Sequence, residues 1–182
     1  MSVLAFSGSL RKDSFNTALL RAAAEVAPPE VEIEIYDGLG DLPHYDADLD
    51  LDECPTAVTD LRERIAAADA LLFASPEYNG SIPGLLKNAV DWASRPRGEA
   101  ALWGKPALVI GTSTGAYGGL WAQAELRKVL GIAGARPLEE GLAVPRATQS
   151  FDEAGRLVDP AARSRLANLL GELTLAAEPI AA

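Results

Sequence analysis

The chain contains one cysteine, Cys54, among its 182 residues. A lone thiol excludes an intrachain disulfide and any zinc or iron–sulfur site built by this chain alone, so redox chemistry would fall to a bound organic cofactor. Histidine is equally scarce: His44 is the single one, in an acidic stretch with no second imidazole or cysteine cluster. That argues against a metal centre and a Ser-His-Asp triad. Positive charge is thin as well, with 16 Lys and Arg against 26 Asp and Glu and a net charge of −10. Such a field repels a phosphate backbone and no basic stripe interrupts it, which argues against nucleic acid as a partner. No run approaches the ~20 apolar residues of a membrane span. The opening MSVLAFSGSLRK places its apolar stretch before its basic residues, unlike a secretory leader, and points to a cytoplasmic protein. Low-complexity segments and internal repeats are absent.

What is present is alternation. Val3-Leu4-Ala5-Phe6 leads through a polar turn into Phe15, Ala18, Leu19, Ala22, Ala23 and Val26, the apolar stripe of a helix. Pro28-Pro29 stops it, and Val31-Glu32-Ile33-Glu34-Ile35-Tyr36 alternates as a strand with one wet face or at an edge does. Residues 37–55 are acidic and aperiodic, a long surface loop. A second stripe (Val58, Leu61, Ile65, Ala68) precedes Ala70-Leu71-Leu72-Phe73-Ala74, an apolar run expected of a parallel strand covered on both faces. Ser81 is placed to cap a third helix carrying Leu85, Leu86, Ala89, Val90 and Ala93, with Pro83 in its first turn. Ala107-Leu108-Val109-Ile110-Gly111 repeats the buried-strand pattern. Ala122, Leu126, Val129, Leu130 and Ala133 form a fourth helix, a weak strand lies within residues 135–145, and Leu166, Leu169, Leu170 and Leu173 mark a fifth helix.

Five strands alternating with five helices predict one three-layer α/β domain over residues 1–182, with a five-stranded parallel sheet. The order 2-1-3-4-5 puts the second and fifth strands at the edges, and those are the two diluted with charge or proline. Its ligand crevice lies beyond the carboxyl ends of strands one and three, where the order reverses.

Three polar loops fall at those ends. After strand one, Ser9, Arg11, Ser14, Asn16 and Thr17 can converge on a small anion at the positive end of a helix. Neither G-x-x-x-x-G-K-[ST] nor G-x-G-x-x-G is present, so a terminal phosphate fits better than a triphosphate or a dinucleotide pyrophosphate. Ser and Asn also favour helix starts, and the loop alone admits a purely capping role. After strand three, Ser75-Pro76-Glu77-Tyr78-Asn79-Gly80-Ser81 is stiffened by proline and glycine and offers the flat face of Tyr78 and the amide of Asn79 to a planar heterocycle. An ordinary turn with an exposed Tyr is the alternative. After strand four, Thr112-Ser113-Thr114-Gly115-Ala116-Tyr117-Gly118-Gly119 lets backbone approach a ligand closely. Their coincidence at one end of the sheet favours a site.

GSLRKDSFN, PEYNGSIPGLLKNAVDWASRP and GTSTGAYGG resemble the three signature segments of the NADPH-dependent FMN reductase family, which includes bacterial quinone and chromate reductases. The resemblance implies a flavodoxin-like fold, bound FMN and a homodimer or homotetramer. It also implies hydride transfer from NADPH or NADH to the flavin, and onward transfer to quinones or similar small acceptors. Carried over by position, Ser9, Arg11, Ser14, Asn16 and Thr17 would hold the phosphate. Pro76, Glu77, Tyr78, Asn79 and Gly80 would border the isoalloxazine, and Ser113 and Gly115 would meet its pyrimidine side. The match is poorest after Gly134. A flavodoxin-type electron carrier, or a flavin-binding module that does not oxidise NAD(P)H, is the alternative function.

Other residues have simpler readings. The carboxylates of LPHYDADLD lack the spacing of a calcium loop, and a solvated acidic face suffices. Trp92 and Trp103 read as packing residues, while Tyr117 and Trp121 are placed to line a substrate entrance. Arg95 and Arg97 are candidates for greeting a 2′-phosphate.

Overall fold

Three strands without a charged side chain on either face have to be covered on both, and the computed structural model, which describes residues 1–50 and 54–178, shows how. Strands β1 (Ser2–Ser7), β3 (Ala70–Ala74) and β4 (Pro106–Thr112) form the centre of a parallel sheet, buried along almost their whole length. The order is β2-β1-β3-β4-β5, with β2 (Glu32–Tyr36) at one edge, where its charged positions remain exposed, and β5 (Arg136–Pro137) on the far side of β4. Successive side chains serve opposite layers. Val3, Ala5, Leu72, Leu108 and Ile110 pack with helices α1 (Phe15–Val26) and α6 (Pro160–Ala177). Leu4, Phe6, Leu71, Phe73 and Val109 pack with α2 (Thr56–Ala67), α3 (Gly84–Ala93) and α4 (Leu120–Ile132). Phe6 stacks on Phe73 at 4.9 Å and meets Tyr36 edge-on at 5.7 Å, adding shape specificity to the burial. No helix among the described residues is long and apolar enough to cross a membrane.

The fifth strand differs from expectation. Residues 135–145 hold two short strands, β5 (Arg136–Pro137) beside the start of β4 and β6 (Leu142–Val144) beside its end, so the sheet has six strands among the described residues. Arg136 and Leu138 donate to Lys105 and Ala107 along β4 on either side of Pro137, whose missing N–H costs the ladder nothing, and the chain leaves β4 after Leu138 before returning. The return requires Gly141: a Cβ there would stand 2.2 Å from the Val109 carbonyl oxygen. A four-residue helix, α5 (Ala147–Ser150), then precedes α6 and brings the α-helices to six among the described residues.

The loop read over residues 37–55 contains two 3-10 turns, Gly38–Asp41 and Ala47–Leu49; its residues 51–53 lie outside the described set. It is anchored by Trp92, fully buried on α3, whose indole N–H donates to the Pro43 carbonyl at 2.8 Å. Asn88 donates to the same oxygen at 2.9 Å, and Tyr45 lies edge-on to Trp92 at 4.9 Å. Trp92 is thus a packing residue, as read. Trp103 is not: it is 63% exposed, on the connection into β4.

Candidate functional site

The first loop leaves β1 at Ser7, and its start is pressed against the second. Gly8 donates its N–H to the Ala74 carbonyl at 2.8 Å, and a Cβ on it would fall 2.7 Å from both Pro76 and Leu86. Each of the five side chains assigned to this loop has a hydrogen-bond partner within the protein, and three of the five lie at the start of α1. Ser14 caps α1, its hydroxyl oxygen accepting from the Thr17 N–H at 3.3 Å. The Thr17 hydroxyl meets that of Ser7 at 2.7 Å, and Ser7 in turn donates to the Ser9 carbonyl. Asn16 is buried and spends both ends of its amide on β4, donating to the Thr112 carbonyl at 3.1 Å and accepting from the Thr112 N–H at 3.0 Å. Asn16 and Thr17 therefore brace the loop, and the second amide proton of Asn16 is left without an acceptor among the described residues.

Free donors remain around them. Arg11 is exposed and commits one guanidinium nitrogen to the Asp13 carbonyl, at 3.1 Å. The Ser9 oxygen accepts from the Arg11 N–H and keeps its own proton for another acceptor. The N–H groups of Phe15 and Asn16, in the first turn of α1, have no acceptor among the described residues. A guanidinium, a hydroxyl and the open amides of a helix start together favour a dianion.

The second loop is a tight hairpin turn. Tyr78 and Ser81 exchange backbone hydrogen bonds at 3.0 and 3.1 Å, while Asn79 (φ 55°) and Gly80 (φ 75°) are both left-handed. Consecutive positive φ values are what a type I′ turn demands and what Asn-Gly supplies. This corrects the expectation for Ser81, which closes the turn instead of capping α3; that helix starts at Gly84 behind Pro83, with no side-chain cap. Tyr78 stands 51% exposed beside Pro83, Gly84 and Leu85.

Glu77 is aimed elsewhere than at a ring. Its carboxylate accepts from the Trp121 and Ala122 N–H groups at 3.0 and 3.1 Å, capping α4 from outside and tying the second loop to the third. Glycine at the helix start (Gly119) brings no capping side chain of its own, and an anion at that end is favourable. Glu77→Ala should therefore cost about 1–2 kcal/mol in urea unfolding, with Glu77→Gln recovering part through its amide oxygen. Equal stability of all three proteins would show that the cap has no weight.

The third loop is held by residues the sequence did not mark. Ser113 accepts at its carbonyl from the Ala147 N–H and donates its own N–H to Val144, while the Gly115 carbonyl accepts from Arg146. Gly118 (φ 60°) lies so close to β6 that a Cβ would be 2.7 Å from the Val144 nitrogen, and buried Gln123 donates to the Gly118 carbonyl at 3.1 Å. Gln123 had a legible signal, a polar residue on a helix face otherwise apolar. Arg146, exposed and left-handed at φ 49°, had none. With the carbonyls occupied, the N–H groups of Thr114, Gly115 and Ala116 lack acceptors among the described residues, and the Ser113 hydroxyl lies beside Gly115.

Between the first and second loops opens a cavity of about 460 Å³ lined by Gly8, Ser9, Leu10, Arg11, Tyr78, Pro83, Gly84 and Leu85. It has the size usual for small-molecule sites and occupies the reversal point of the sheet. Of the predicted site residues Ser9, Arg11 and Tyr78 line it, while Ser14, Asn16, Thr17, Pro76, Glu77, Asn79, Gly80, Ser113 and Gly115 lie outside that lining, on α1 and the flanking second and third loops. Arg95 and Arg97 are not at this end. Helix α3 runs antiparallel to the strands from the crevice, and they follow its far end, about 15 Å away at 1.5 Å per residue.

A parallel sheet in the order 2-1-3-4-5, with three polar loops at its carboxyl edge, defines a flavodoxin-like protein. More narrowly, the chain belongs to the NADPH-dependent FMN reductase family, whose sequence model matches residues 1–149. It is similar to an NAD(P)H-dependent FMN reductase of Pseudomonas aeruginosa, 45% identical over 176 residues that cover 96% of this chain and 94% of the relative. It is likewise similar to an NADPH:quinone oxidoreductase of Arabidopsis thaliana, 42% identical with 92% and 87% covered. Among solved structures it resembles a flavoenzyme NAD(P)H:(acceptor) oxidoreductase from Paracoccus denitrificans, with a TM-score of 0.87, 37% identity, and 97% and 96% of the two chains covered.

Proposed function

We propose that the protein binds FMN in this crevice, oxidises NADH or NADPH and passes the electrons to quinones or similar small acceptors. The carrying observation is the set of uncommitted donors at Ser9, Arg11 and the start of α1, the first two of which line a cavity of about 460 Å³. Bound FMN supplies a two-electron relay between the nicotinamide and the acceptor. In this reading Arg11, Ser9, the Ser14 hydroxyl proton and the open N–H groups of α1 hold the phosphate. Pro76, Tyr78, Asn79 and Gly80 border the ring from the rigid turn, and Glu77 fixes that turn to α4. The third loop presents Ser113 and the N–H groups around Gly115 to the pyrimidine side, where negative charge gathers on reduction, and these dipoles need no rearrangement to meet it. Tyr78, exposed at the mouth, leaves room for a second planar molecule against the ring.

A visible spectrum of the purified protein, followed by NADH or NADPH under anaerobic conditions, tests this directly. Flavin bands that survive dialysis, bleach with the nicotinamide and return on adding a quinone are expected. Colourless protein that takes up no FMN would remove the proposal. Bands that do not bleach would leave a carrier of the flavodoxin type in its place.

A further inference from the structure

Gln123 is 1% exposed and carries an amide into the buried face of α4, between Ala122 and Leu126. That amide lies in a slot formed by glycines from three parts of the chain. A Cβ on Gly111, in β4, would stand 2.9 Å from Nε2, and one on Gly141 would stand 3.3 Å from Oε1. The third glycine is Gly118, whose carbonyl oxygen accepts from Nε2 at 3.1 Å. A buried amide is costly unless it is bonded. Among the described residues, the group that Nε2 bonds belongs to the third loop.

The peptide that joins Gly118 to Gly119 is trans, so its C=O and N–H point in opposite directions. Turning the Gly118 carbonyl inward to Gln123 therefore turns the Gly119 N–H away from it. Gly119 lies against the second loop, where a Cβ on it would stand 3.2 Å from the Ser75 carbonyl oxygen and 3.9 Å from the Glu77 Cβ. Its N–H has no acceptor among the described residues, although Gly119 is buried. Next along the chain, the N–H groups of Leu120, Trp121 and Ala122 are engaged by the Tyr117 carbonyl and the Glu77 carboxylate. Buried backbone donors without a partner are rare, and one beside a crevice points to an acceptor on the ligand.

We propose that Gln123 is a positioning residue for the flavin: by pinning the Gly118 carbonyl inside the fold, it presents the Gly119 N–H to an acceptor atom on the pyrimidine edge. The inference rests on the reading that FMN occupies the crevice with its pyrimidine side at the third loop. The pin matters because Gly118 and Gly119 are both left-handed, at φ 60° and 79°, and a peptide between two glycines has few barriers to rotation. Without Gln123 the carbonyl is free to swing outward, and the same peptide then offers an acceptor in place of a donor. An outward oxygen repels the pyrimidine carbonyls and the negative charge that gathers there on reduction. An outward N–H attracts both and needs no rearrangement to do so. Glu77 holds the start of α4 from the other side, so the peptide is fixed at both ends.

NMR of isotope-labelled wild-type apoprotein, with and without FMN, observes this donor directly. On binding, the Gly119 amide resonance should move downfield and its exchange with deuterated water should slow about tenfold or more. Gln123→Met keeps the length of the side chain and loses the donor. Its FMN dissociation constant should rise, and its two-electron midpoint potential should fall by about 30 mV, the equivalent of a tenfold change in the ratio of reduced to oxidised flavin. A merely structural role would lower the unfolding midpoint of the apoprotein and leave the flavin potential where it was. A Gly119 amide that neither shifts nor slows when FMN binds overturns the proposal, and so does a Gln123→Met flavoprotein with the wild-type potential. If Gln123→Met fails to fold, the wild-type amide decides the matter alone. Protein that takes up no FMN removes the reading of the crevice and this proposal together, whereas protein that binds FMN with the Gly119 amide unmoved removes only the proposal.

Discussion

Arg11→Ala is expected to weaken FMN binding by about 10- to 100-fold while leaving the unfolding transition of the apoprotein where it was. The size follows from the bond type: a hydrogen bond to a charged group contributes about 1.5–3 kcal/mol, and 1.4 kcal/mol is tenfold in affinity. The separation of the two effects follows from the structure. Arg11 is exposed, and its one internal hydrogen bond, to the Asp13 carbonyl, lies within the loop itself. Removing the guanidinium therefore costs the fold little and an anionic ligand a great deal. Arg11→Lys keeps the charge but loses the planar fork, so its affinity should fall between the two and depend more steeply on salt. Titrating apoprotein into FMN and following quenching of the flavin fluorescence measures all three. An Arg11→Ala protein that binds FMN as tightly as wild type would move the phosphate away from this loop.

The contrast between Arg11 and its neighbours explains what the sequence could and could not show. Residue types at the crevice were legible because a strand that ends in a polar, glycine-containing loop announces itself locally. So was the order of the central strands, because burial on both faces leaves β1, β3 and β4 without charge. Roles were not legible where the partner is distant in sequence. Glu77 meets N–H groups 44 and 45 residues away, and Asn16 meets a peptide 96 residues away. Both carry structural bonds that appear only once the fold is closed. The split of the fifth strand was hidden for the same reason, since Gly141 reads as a breaker while its cause is the Val109 carbonyl against it. Trp103 misled in the opposite sense. Aromatic bulk argues for burial on average, and this indole stands in the solvent beside Ile132.

Asn16→Ala should lower the unfolding free energy of the apoprotein by about 2–6 kcal/mol and weaken FMN binding as well, which distinguishes it from Arg11→Ala. Strand β3 pairs with β4 as far as Ala74 and Ile110, after which Ser75 donates one more bond to the Ile110 carbonyl. Beyond that point the Thr112 peptide has lost its neighbouring strand on that side. The Asn16 amide, reaching from the first turn of α1, replaces it with one donor and one acceptor at 3.1 and 3.0 Å. Alanine leaves both groups of that buried peptide without partners, and each unmet group costs about 1–3 kcal/mol. Asn16→Asp is no remedy, because a carboxylate can accept from the Thr112 N–H but repels the Thr112 carbonyl. The same two bonds hold the first loop to the start of the third, so releasing them loosens the phosphate seat and the pyrimidine side together. Added FMN should restore part of the lost stability, in proportion to the logarithm of its concentration over the weakened dissociation constant. Urea unfolding of wild-type and Asn16→Ala apoprotein, repeated with saturating FMN, gives both numbers. Coincident curves for the two apoproteins would mean that this side chain does not hold the two loops together.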